Sequence, residues 1–80
     1  MDDAEIVRQI NELADEDHRL EQSKVGEGLT EAELDRIRSI EIALDQCWDL
    51  LRRRRARRGA GQDPDDVTVR PAEVVEHYQQ

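Results

Sequence analysis

An all-α fold, an antiparallel two-helix hairpin followed by a short third helix, is what this 80-residue chain predicts. Three observations point there. Apolar residues recur at alternating spacings of three and four across 34–51, a second apolar run at heptad spacing occupies 6–20, and two glycines lie between them. Such periods belong to amphipathic helices, and so short a connection makes the two helices antiparallel neighbours.

The first helix is expected over 3–24. Ile6, Ile10, Leu13 and Leu20 mark its apolar face, Asp17 holds the missing position, and Ala14 lies beside it. Asp2 and Asp3 are candidate caps for an acidic first turn, which the helix dipole favours. Val25-Gly26-Glu27-Gly28-Leu29 then breaks the pattern. Folding about Glu27 sets Ile6 level with Trp48, Ile10 with Leu44, and Leu20 with Leu34, while Asp17 faces Ile37 with Arg36 and Arg38 on either side.

The second helix is expected over 30–58. Thr30 and Glu33 have the spacing of a capping box, in which each side chain accepts the other residue's backbone amide. Two adjacent rows follow: Leu34, Ile37, Leu44, Trp48, Leu51, and Ile37, Ile40, Leu44, Cys47, Leu51. Together they make a stripe wider than a two-stranded seam requires, so it needs cover from more than one side. With 36% hydrophobic residues and no Phe, one chain has little core to supply that cover. A four-helix bundle of two hairpins is therefore expected, with Ile37, Ile40, Leu44, Trp48 and Leu51 as the dimer core.

Arg52, Arg53, Arg54, Arg55, Arg57 and Arg58 fill the last two turns, and Gly59 reads as the terminator. Residues 59–70 read as an acidic loop with an Asp-Pro turn. Pro71 suits the first turn of a helix over 71–79 with Val74, Val75 and Tyr78 on one face. The division is thus 1–58, the hairpin, and 59–80, the loop and short helix. That last helix is too short to stand alone, so it must dock or fray.

Charge is distributed by segment. Residues 1–51 carry fifteen acids and five bases, residues 52–58 carry six arginines, and residues 59–80 carry five acids and Arg70, for a net charge of −8. The plain reading of the Arg run is a solvated helix end matched to the dipole, with Asp49 pairing with Arg53 one turn on. Its sharper readings are a phosphate site or a site for an acidic protein. Nucleic acid is not favoured: no aromatic residues stand around the run for stacking, and the adjoining helices repel a polyanion.

Other chemistry is thin. Asp15 and His18 have the i, i+3 spacing of di-iron bundles, and Glu41 could complete a set, but the set is partial and uses aspartate. A polar layer of Asp17 and His18 with Arg36 or Arg38 is the simpler expectation. Asp63, Asp65 and Asp66 lack the glycine and the twelfth-position acid of a calcium loop, so a turn supplying acids to the Arg run is expected instead. Cys47 reads as a buried structural cysteine, not a reactive thiol. Neither a nucleophile–His set nor a phosphate loop is present, so no enzyme activity and no cofactor are expected. A single Cys, no secretory h-region and no long apolar run suggest a cytoplasmic protein without membrane contact.

The runs LDQCWDLLRRRRARR at 44–58, GQDPDD at 61–66 and EDH at 16–18 resemble a small actinobacterial family of unknown function, over nearly the whole chain. The resemblance implies a helical cytoplasmic protein and carries no activity. The expected role is a small non-enzymatic interaction or adaptor protein, self-associating, with the six arginines as its recognition edge. The alternatives are a nucleic-acid-associated regulator using the same arginines and a metal-binding bundle at Asp15, His18 and Glu41.

Overall fold

The computed structural model describes residues 2–23 and 28–78. It contains α1 (Asp3–Ser23), α2 (Glu31–Gly59), a single 3-10 turn (Pro64–Asp66) and α3 (Ala72–Tyr78), with no strand among the described residues. The fold is all-α, as the periodicities require. Most of the predicted hinge, residues 24–27, lies outside the described residues, as does the side chain of Tyr78.

Cross-helix partners fix the direction of packing. Arg36 meets Glu16, Cys47 meets Gln9 and Arg54 meets Asp3, so rising numbers on α2 face falling numbers on α1. The hairpin is antiparallel. Ile6, however, clusters with Ile10, Leu50 and Leu51 and not with Trp48, which is 42% exposed. The contact falls about one turn further along α2 than folding about Glu27 implies. Trp48 then sits one row to the side of the line that α1 covers.

Helix ends follow local chemistry. Asp2 Oδ1 accepts the Glu5 amide, and the Thr30–Glu33 capping box closes in both directions, at 3.2 and 3.0 Å. At the far end α2 runs through Gly59 instead of stopping there. The Gly61 amide donates to the Arg58 carbonyl and the Gln62 amide to that of Arg57. These two bonds are a Schellman cap, and Gly61, at φ +73°, is its left-handed residue.

The tail folds back over α2. Val67 packs against the Ile6–Ile10–Leu50–Leu51 cluster, the Gln46 amide donates to the Arg70 carbonyl, and Val75 of α3 is buried. The wide stripe is thereby covered on a second side by the chain's own C-terminal segment. Ile37, Ile40 and Leu51, expected in a dimer core, are buried within one chain, and Leu44 is half-buried against the same cluster. Leu50, absent from both apolar rows, is a core residue.

Candidate functional site

The six arginines have three different fates. Arg54 is 5% exposed and lies on the core side of α2. Its Nε donates to Asp3 Oδ1 at 2.7 Å, and its Nη1 donates to Asp65 Oδ1 at 2.9 Å and to the Pro64 carbonyl at 3.2 Å. It joins the start of α1, the end of α2 and the tail, so it is a clamp and not an edge residue. Asp63 caps the 3-10 turn by accepting the Asp65 amide at 2.9 Å, which holds Asp65 in place for Arg54.

Arg58 reaches the other oxygen of Asp3. Arg58 first and then Arg54 hold the Asp3 carboxyl below its usual range, because both guanidiniums hydrogen-bond to the charged form. Arg53 donates to Asp49 at 3.0 Å, and Arg70 approaches the same carboxylate oxygen at 3.6 Å. Three arginines are thus neutralised within the chain. Arg52, Arg55 and Arg57 make no ion pair with another described residue, and Arg52 and Arg55 are exposed.

The expected polar layer does not form. His18 and Asp15 are exposed, Arg38 pairs with its neighbour Asp35, and Arg36 makes a two-bond fork to Glu16 at 2.6 and 2.7 Å. Glu41 groups not with Asp15 and His18 but with Asp17 and Glu21, their oxygens lying within 4.8 Å of one another. The reason is helical phase: Asp17 and Glu21 are one turn apart on α1, on the side that faces Glu41, while Asp15 points elsewhere. Asp17 Oδ1 is buried and has no donor among the described residues. Beside this group Asp45 sits within hydrogen-bonding reach of Glu76 on α3. That contact and burial push the Glu76 carboxyl above its usual range, and Glu76 Oε1 likewise has no donor. Three carboxylates therefore meet at one place, and the Asp45–Glu76 pair lies near them on the Glu41 side.

A groove of about 520 Å³ lies between the helices on the tail side, lined by Leu13, Gln46, Cys47, Leu50 and Val69 among others. Cys47 borders it half-buried, and burial pushes its thiol up, so it is held in the protonated, unreactive form. Among the described residues no His lines the groove to act as its base.

What sequence reasoning passed over is Glu76 and the separation of Arg54 from its neighbours. For Arg54 the signal was available: it continues the line Cys47, Leu51 at helical spacing. Its charge masked its phase.

Fold and site together define a small all-α hairpin protein with a partly self-neutralised arginine end. The chain belongs to a family described as protein of unknown function, DUF2630, matched over residues 2–80. It is 47% identical over 77 residues to uncharacterized protein Mb0922c of Mycobacterium bovis and to uncharacterized protein Rv0898c of Mycobacterium tuberculosis, covering 95% of this chain and 88% of each relative. No solved structure matches it. Among the described residues no helix is long and apolar enough to cross a membrane.

Proposed function

We propose that this is a non-enzymatic interaction protein of the cytoplasm, which associates with itself and offers a reduced arginine edge to acidic protein surfaces. The edge is Arg52, Arg55 and Arg57. One observation carries the reading: of six clustered cations, three are matched by Asp3, Asp49 and Asp65, and three have no ion pair among the described residues. Unmatched guanidiniums on a rigid helix are ordered in advance for carboxylates. The alternative, a nucleic-acid-associated regulator, would use the same three residues. It is less supported, because half of the local positive charge is already spent and the rest of the chain is strongly acidic.

The test is an anisotropy titration at about 50 mM salt, where charge contacts are strongest. A labelled Asp/Glu-rich peptide and a labelled duplex of similar charge are each titrated with the wild type and with Arg52→Glu/Arg55→Glu/Arg57→Glu. Peptide binding that weakens by about tenfold or more in the variant supports the reading. No peptide binding, or binding unchanged by the reversals, overturns it. Tighter binding to the duplex puts the nucleic-acid reading in its place.

A further inference from the structure

We propose that the first acidic surface met by Arg52 and Arg55 is that of a second copy of this chain, docked antiparallel about Trp48. This rests on the interaction reading above and names its partner.

The surface is one flank of the hairpin. On α2, Leu34, Glu41, Trp48 and Arg55 recur every seven residues, and Arg52 lies one turn from Trp48, so all five share a side. On α1, Val7, Ala14 and Glu21 recur at the same interval. The closeness of Glu21 to Glu41 brings that row onto the same flank. The chain's own cover reaches only the edge of this flank: Val67 packs on the Leu50 side, Arg70 is held at Gln46 and Asp49, and α3 approaches through Glu76 at Asp45. Val7, Leu34 and Trp48 are left exposed. By the packing register Val7 lies level with the Trp48 region, so the middle of the flank is apolar.

The two ends of the flank carry opposite charge. Asp17, Glu21 and Glu41 form one end, with Asp45 and Glu76 at its margin, and no cation pairs with any of these five among the described residues. Arg52 and Arg55 form the other end. Glu41 and Arg55 stand seven residues before and after Trp48, about 10 Å on either side of it along α2. A two-fold axis through Trp48 therefore sets Glu41 of each copy against Arg55 of the other, with Arg52 reaching toward Asp45. The same patch serves both subunits, as a closed dimer requires. A partner of a single sign would match one end of this flank and repel the other. A reversed copy matches both. The contact also supplies guanidinium donors to Glu41 and Asp45, which have no cation partner among the described residues. It differs from the bundle seam expected from the apolar rows, because Ile37, Ile40 and Leu51 stay inside their own hairpin.

The experiment follows the full chain by sedimentation equilibrium and by the fluorescence of its single Trp. On concentration the mass should move from 9.3 kDa toward twice that value, with Trp48 emission shifting to the blue. Arg55→Glu and Glu41→Arg should each weaken association by about tenfold or more. An equimolar mixture of these two variants should associate about as tightly as the wild type, since the mixed pair restores both contacts. That mixture also reports on folding, because an unfolded variant could not complete the dimer. A wild type that stays at one chain mass, a dimer indifferent to both reversals, or a mixture that stays dissociated overturns the proposal. Repeating the peptide titration separates the two readings. A monomer that still binds acidic peptide through Arg52 and Arg55 removes only the dimer, whereas a dimer whose dissociated chains ignore the peptide removes only the general edge.

Discussion

A guanidinium offers five N–H donors in a fixed fork, and Arg54 uses three of them on acceptors from two distant stretches of chain. No ammonium group reproduces that spread, because it is a compact charge at the end of a flexible stem. Arg54→Lys is therefore expected to lower the melting temperature by roughly 4–8 °C, a scale set by the small size of the domain. Arg52→Lys should leave it nearly unchanged, since Arg52 is exposed and has no ion pair among the described residues. Thermal circular dichroism of the two variants checks the contrast, and equal shifts would remove Arg54 from its role as clamp. The difference between these neighbours was only half legible in the sequence. The need of the run for acids at the N-terminus and in the tail was readable from charge and topology, as was the Asp49–Arg53 pair. Which arginine would turn inward depended on the phase of the stripe, and six identical residues gave no chemical hint of it.

Among the elements, the readable ends were those closed by residues within one turn of each other. The capping box of Thr30 and Glu33 depends on four consecutive residues, so the sequence determines it. The other end of α2 offered two glycines, Gly59 and Gly61, with only the backbone to decide between them. The Schellman bonds select Gly61, and Gly59 becomes an ordinary helical residue. The two positions should consequently respond to alanine with opposite signs. Gly61→Ala forces a methyl group into the left-handed region and should destabilise by about 1–2 kcal/mol. Gly59→Ala adds a side chain that meets nothing within 4 Å and should stabilise by about 0.4–1 kcal/mol, by narrowing the unfolded ensemble. Urea unfolding of both variants measures the signs, and destabilisation of similar size at both would return the terminator to Gly59. For α3 the residues were legible in the sequence but not their destination. A seven-residue helix has too few internal bonds to persist alone, so its place is set by the burial of Val75 on α2, a contact between distant parts of the chain.

Across the whole molecule, two kinds of carboxyl group pull stability in opposite directions with pH. Asp3 is held low by Arg58 and Arg54, and Glu16 is held low by Arg36. For such groups the stabilisation is present above the ordinary values of 3.8 and 4.5 and disappears as pH falls through the lower folded values. Glu76 is the reverse case. Asp45 within hydrogen-bonding reach, followed by burial and the nearby Glu41, raises it, so its stabilisation is complete below 4.5 and disappears as pH rises through the higher folded value. The Asp45–Glu76 contact is therefore one that a proton would relieve, in a chain whose net charge of −8 already opposes compaction. The melting temperature should rise as pH falls from neutrality toward the ordinary glutamate value of 4.5, then fall below the ordinary aspartate range as the Asp3 and Glu16 pairs are protonated. Glu76→Gln gives the contact a permanent donor in place of a carboxylate. It should melt higher than the wild type at pH 7 and lose most of the rise seen on acidification, while keeping the fall at the acid end. If the variant instead follows the wild-type curve, the Asp45–Glu76 contact contributes nothing to the pH dependence, and the wild-type rise must come from groups away from α3.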